Sequence, residues 1–402
     1  MKILFHRNYI FYKTKEALFA ILIGIISGLA ASFLDFLVQF VHKIAFNLNL
    51  VYVQLLVLAA YASFINYLDK GFATPGLILA LKFLRENVVV PIIVWTAKFF
   101  GVVLSLSILP IGREGPAMLL GTGLGQYLAE LFKVPKGQLS YWGTIGASAF
   151  VGAFLKTPLG ATFYVFENRF GKILNVDFII NALTASTVSY TIYIYLRGLH
   201  PIIPIHNHFD WNVLDIIPAI VLGIVTSFVA LITLLIYEFF KYLAKLVEEP
   251  YRPISVLPLL LLLFTIAYHH SSIELLNLSV NYKPIEQIST HLFPINILIG
   301  TILLEILFLA VLLSFGYPGG IILPLIFIGA SLGNIIAHID PDKLGLFVLS
   351  GAAAMLCAAM NVPITSVVMI SEMSHQTLVI PEIVAVLTAY FLASSVKLLK
   401  NK

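Results

Sequence analysis

Gly112-Arg113-Glu114-Gly115-Pro116 places an arginine and a glutamate between two apolar stretches. An ionisable side chain at such a depth is costly in lipid and marks either a function or a buried partner. Gly115 and Pro116 suit the first turn of a helix, whose free N–H groups and positive dipole end attract an anion. A carboxylate tethered beside that end can take the anion's place and leave on protonation. Glu114 therefore reads as a gate that also carries a proton, with a plain helix cap as the alternative. Ser314-Phe315-Gly316-Tyr317-Pro318-Gly319-Gly320-Ile321-Ile322-Leu323-Pro324 is the matching break further on. Its glycines leave backbone N–H groups exposed at a second helix start. A third break, Gly71-Phe72-Ala73-Thr74-Pro75-Gly76, is by itself no more than a turn.

The two long breaks belong to a repeat. Pro116 is followed five and nine residues later by Gly121 and Gly125, and Pro324 likewise by Gly329 and Gly333. Gly146 stands twelve residues before Pro158, as Gly351 does before Pro363. Glu167 and Glu372 each follow nine residues after those prolines. The chain thus divides into a first membrane repeat, 1–197, a linker, 198–209, and a second repeat, 210–402. Ala17–Val41, Phe178–Tyr195, Ile216–Tyr237 and Ile295–Phe315 are apolar over a spanning length. Gly76–Phe83, Pro116–Leu131, Tyr141–Leu155, Pro158–Phe166, Leu323–Ile336 and Pro363–Met373 are half-length pieces bounded by Gly or Pro. Broken helices of that kind put helix ends near the bilayer midplane, at the interface of inverted repeats. The expected fold is all-α, because a spanning backbone must satisfy its own hydrogen bonds.

Composition agrees. Of the 402 residues, 60% are hydrophobic and 11% charged, against about 25% charged in soluble domains. The net charge of +4 comes without a basic cluster, so no nucleic acid partner is expected. The single cysteine, Cys357, cannot form an internal disulfide. Met1–Lys15, basic and aromatic, reads as a short interfacial helix before the first span. Basic residues near both ends predict two cytosolic termini, and the size suggests a prokaryotic plasma membrane. His200, His206 and His208 crowd the linker, but no cysteine or carboxylate pair completes a metal site; no metal and no cofactor are expected.

Taken together, GREGP at 112–116, Gly320-Ile321-Ile322-Leu323-Pro324 near GxFxP, Gly71–Pro75 where GSGIP would fall, Lys98-Phe99-Phe100-Gly101 and Pro363–Glu372 resemble the CLC chloride channel and transporter family, from about Val41 to Leu392. The resemblance implies a homodimer in lipid with one anion pathway per subunit, carrying chloride or a similar anion and, in many members, protons. It implies that Glu114 is the external gate. It places the anion among Gly71, Phe72, Thr74, Arg113, Gly115, Gly320, Ile321 and Ile322, with the N–H groups of Ile321 and Ile322 at the central site. Many members add soluble C-terminal domains; none is expected here.

Three departures matter. Phe72 stands where the family has a serine, with Thr74 as a possible substitute. The C-terminal tyrosine has no match, since Tyr390 lies too early. The internal proton glutamate aligns with Asn168, which cannot relay a proton, and the preceding Glu167 is about 100° around the helix from it. Passive channel and proton antiporter both stay open, and a fluoride/proton exchanger of the same family is the alternative. Lys98 and Glu305, 18 and 19 residues before Pro116 and Pro324, occupy near-equivalent places and are expected either to pair or to reach water separately. Other classes fit less well. No metalloprotease H-E-x-x-H is present, and an enzyme is not expected. No P-loop supports a nucleotide-driven pump. A sodium-coupled solute transporter would share the repeats but not GREGP.

Overall fold

The computed structural model describes residues 2–47, 51–68, 75–168, 175–205, 210–269 and 282–393. Helices account for nearly all of the regular structure. They run α1 (Lys2–Asn47), α2 (Val51–Leu68), α3 (Gly76–Glu86), α4 (Ile92–Leu106), α5 (Glu114–Leu131), α6 (Leu139–Phe154), α7 (Pro158–Glu167) and α8 (Val176–Arg197). The second half supplies α9 (Ile216–Lys245), α10 (Arg252–Ser255), α11 (Leu257–His269), α12 (Lys283–Thr290), α13 (Ile295–Ser314), α14 (Ile322–Ile336), α15 (Leu344–Met360), α16 (Pro363–Ser374) and α17 (Ile380–Ala393). The half-length pieces expected from Gly and Pro positions form α3, α5, α6, α7, α14 and α16. The N-terminal stretch differs from expectation: it does not break off as an interfacial helix but runs into the first span as one 46-residue helix.

Among the described residues, six helical segments are long and apolar enough to cross a membrane, including Lys13–Ala45, Val213–Lys245 and Ile295–Ser314. The 20 residues of α13 at about 1.5 Å each give roughly 30 Å, the thickness of the hydrocarbon core. Large apolar side chains such as Phe228, Leu231, Leu235 and Phe239 are exposed along α9, where lipid would cover them.

The glycine spacing of the repeat has a packing cause. In α5 and α6, Gly121 and Gly146 face each other so closely that a Cβ on either would collide with the other's carbonyl oxygen. Gly329 and Gly351 repeat that contact between α14 and α15. Lipid supplies no hydrophobic drive to bring helices together, so close backbone approach at small residues does that work. The same glycine contact thus recurs inside each half, and the starts of α5 and α14 meet where Gly112 bridges to Gly320.

Candidate functional site

Helix α13 ends in a Schellman turn. Gly316 takes the left-handed conformation, φ 85°, and the N–H of Tyr317 returns to the Leu312 carbonyl at 3.0 Å. The chain then doubles back to start α14 at Ile322. The loop after α4 does the same to start α5 at Glu114. The two loops meet in an isolated antiparallel bridge: Gly112 N–H donates to Gly320 O at 2.9 Å and Gly320 N–H to Gly112 O at 2.7 Å. Two helix N-termini, one from each repeat, are thereby fixed side by side. The start of α3 joins them, since a Cβ on Gly76 would come within 2.5 Å of the Gly115 carbonyl oxygen.

Glu114 lies in this junction, 1% exposed. Its Oε1 accepts a hydrogen bond from the Ile322 N–H at 2.5 Å. The N–H groups of Ile321 and Leu323 also act on the carboxylate. Glu114 is the first residue of its own helix, yet its carboxylate occupies the N-terminus of the other repeat's helix. Gly112 and Gly320 are small for this reason, because a Cβ on either would strike the Glu114 carboxyl group. Among the described residues the second carboxylate oxygen, Oε2, has no hydrogen-bond partner.

Arg113 was expected among the anion ligands and turns elsewhere. A guanidinium 1% exposed needs a counter-charge, and it finds one in Asp35 of α1, with Nη1 to Oδ1 at 2.9 Å. It also lies over the rings of Phe154 and Tyr282, 4.9 and 4.6 Å from their centroids. The other oxygen of Asp35 accepts from Arg197 Nε at 2.8 Å and Gln39 Nε2 at 3.0 Å. Asp35 and Arg197 escaped the sequence reading. An aspartate inside the apolar run Ala17–Val41 was the available signal.

Glu167, half-buried, is engaged by backbone donors of the other half. Its two oxygens accept from the N–H groups of Ile364 and Thr365 at 2.9 and 2.7 Å, capping α16. Glu372 does the reverse and accepts from Leu159 and Gly160 of α7 at 3.0 and 2.8 Å. Asn168 returns its Nδ2 to the Tyr164 carbonyl of its own helix at 3.0 Å. The pairing of Lys98 with Glu305 does not form. Both are buried, but no ion pair joins them, and among the described residues neither Glu305 oxygen has a hydrogen-bond partner. The reason is placement: α4 packs on α1, α2 and α5, whereas α13 packs on α9, α11 and α14. Gly71, Phe72, Thr74, His206 and His208 lie outside the described residues. Among the described residues no cluster of three His, Cys, Asp or Glu side chains could hold a metal ion.

The sequence model described as voltage gated chloride channel matches residues 54–394. The H(+)/Cl(-) exchange transporter ClcA of Yersinia pestis bv. Antiqua (strain Angola) is 25% identical over 297 residues, which are 70% of this chain and 61% of that protein. The matched stretch thus spans about three fifths of that relative's length. Among solved structures, a slow cyanobacterial Cl-/H+ antiporter superposes with a TM-score of 0.80 at 17% identity, covering 94% of each chain. A CLC-type fluoride/proton antiporter gives 0.79 at 19%, covering 96% of each. At those identities the likeness shows the fold. With its family model matched over most of its length, the chain belongs to the voltage gated chloride channel family.

Proposed function

We propose that this protein moves chloride or a similar small anion across a membrane, and that Glu114 is a carboxylate gate competing with the anion for the N-terminus of α14. The observation that carries this reading is the 2.5 Å hydrogen bond from the Ile322 N–H to Glu114 Oε1. That N–H and its neighbours at Ile321 and Leu323 are the donors an anion would use, and the anionic side chain already sits on them. Protonation removes the charge that holds the carboxylate there, so one residue both opens the anion site and takes up a proton. Gly115 and Gly320 contribute room rather than charge. Coupled anion/proton exchange is the form of transport that fits a protonatable gate, and ClcA and the cyanobacterial neighbour are both named as such exchangers. The family resemblance further implies a homodimer with a separate pathway in each copy, and the basic residues near both ends support cytosolic termini in a prokaryotic plasma membrane.

Fluoride/proton exchange is the second reading. It is supported by Asn168, which stands where proton-coupled members have the internal glutamate, and by the structural neighbour named as a CLC-type fluoride/proton antiporter.

The test is anion efflux from liposomes with external pH recorded in a lightly buffered bath. Wild type should drive protons uphill on a chloride gradient, and Glu114→Gln should pass anion without moving protons. An unaltered proton signal in Glu114→Gln would remove Glu114 from the mechanism. Efflux of fluoride but not chloride would move the assignment to the second reading.

A further inference from the structure

A cavity of about 610 Å³ lies beside the junction, at the end of the bundle where α8 gives way to the linker. His200, Glu286 and His375 line its exposed rim, and Asp35, Tyr193 and Lys156 form a buried floor. Lys156 occupies the turn between α6 and α7, with a left-handed φ of 56°. Its Nζ donates to the carbonyls of His200 at 2.8 Å and Gly198 at 3.3 Å, which leaves a third N–H for the cavity. Arg197 spends only Nε on Asp35; among the described residues its two terminal nitrogens have no partner. Asp35 is shared between Arg113 and Arg197, so those three groups together keep one positive charge. Lys156 adds a second. The deep end of the cavity is therefore cationic, whereas the carboxylate of Glu286 sits out at the rim.

We propose that the deep end of this cavity is a loading site for the transported anion, held between the Lys156 ammonium and the terminal nitrogens of Arg197. The proposal rests on the reading of Glu114 as the gate. Arg113 joins the two sites, since its side chain pairs with the cavity floor at Asp35 and its backbone leads directly into Glu114. A cationic pocket in a low-dielectric wall concentrates anions at low salt and loses that advantage as salt screens it. The site is wide and lined by polar and charged side chains, so it collects the anion, and the narrower junction at Glu114 selects.

The test is the dependence of initial flux on chloride added from the cavity side, for wild type, Lys156→Met and Lys156→Arg. In low ionic strength Lys156→Met should raise the half-saturating chloride concentration about 3- to 10-fold with maximal flux unchanged, as expected when one nearby charge worth about 1 kcal/mol is lost. Lys156→Arg should restore the wild-type value, and the difference should shrink at high salt. An unchanged half-saturation in Lys156→Met overturns the loading site. So does a fall in maximal flux alone, which would give Lys156 a structural role. If the wild type carries no halide at all, the proposed function fails. The loading site is then judged by calorimetric titration of chloride into the detergent-solubilised protein: weaker binding to Lys156→Met keeps it, and equal binding overturns it.

Discussion

Glu167 offers the sharpest separation between two roles a membrane carboxylate can have. Its oxygens lie 2.9 and 2.7 Å from the N–H groups of Ile364 and Thr365, which would otherwise be unsatisfied donors in the first turn of α16. Truncation to alanine removes both bonds and the negative charge at that helix end. Losing a cap costs about 0.5–2 kcal/mol, and losing the dipole interaction about 0.3–1 kcal/mol, so Glu167→Ala should destabilise the fold by about 1–3 kcal/mol. Glu167→Gln keeps one acceptor oxygen and turns an amide against the other N–H, and should cost about half as much. Each 1.4 kcal/mol is tenfold in the folding equilibrium, which makes even the milder variant measurable by denaturant titration in detergent. Proton-to-chloride stoichiometry in liposomes should stay at the wild-type value in Glu167→Gln, because both oxygens of Glu167 are engaged in capping α16. A Glu167→Gln protein of unchanged stability that had lost proton movement would refute this reasoning and return Glu167 to the proton path.

Other expectations follow from the same geometry. Burial draws the Lys156 amine down from its ordinary value to about 8; Asp35 opposes this, and Arg113 and Arg197 add to it. The lowered value means that Lys156 is charged below about pH 8 and neutral above it. Anion affinity from the cavity side should fall as that side is taken from pH 7 to pH 9, a trend that Lys156→Arg abolishes. Glu372 and His375 beside α16, Tyr190 on α8, and His200, Tyr282 and Glu286 around the cavity also face this region, so the Arg variant is the control that isolates Lys156. Gly146→Val should overpack the α5–α6 contact by about 1–3 kcal/mol and lower the yield of folded protein, whereas the same change at the open Gly137 should not. A double-mutant cycle of Lys98→Met and Glu305→Gln, read by stability in detergent, should give a coupling energy near zero, since no ion pair joins the two. A coupling above about 1 kcal/mol would restore the pairing.

Local chemistry made the helix boundaries legible. Pro75, Pro116, Pro158, Pro324 and Pro363 each stand at or near a helix start, where a missing N–H costs nothing, and glycine marked where chains must touch or reverse. Glu114 was legible because a carboxylate beside a helix end in apolar surroundings has few explanations. The partners of the charged residues were not legible. Asp35 and Arg113 are separated by 78 residues, and nothing local says that α1 passes the start of α5. Equivalent positions in two repeats suggested that Lys98 and Glu305 would meet, yet pseudo-symmetry relates places without bringing them into contact.

The repeats are tied together by exchange rather than by resemblance alone. Glu167 of the first half caps a helix of the second, Glu372 of the second caps a helix of the first, and Glu114 of the first sits on the N–H of Ile322 in the second. In each case a helix start in one half leaves donors that only the other half supplies with a carboxylate. Two of the three carboxylates hold two donors each and use both oxygens, so they are locked. Glu114 differs: it has one oxygen on Ile322 and, among the described residues, the other without a hydrogen-bond partner. A carboxylate held by one side can leave without dismantling its neighbours, provided that something anionic replaces it at the helix end. The inter-repeat carboxylate that leaves one oxygen unpaired among the described residues is thus the one placed where, on the proposed reading, an anion takes over.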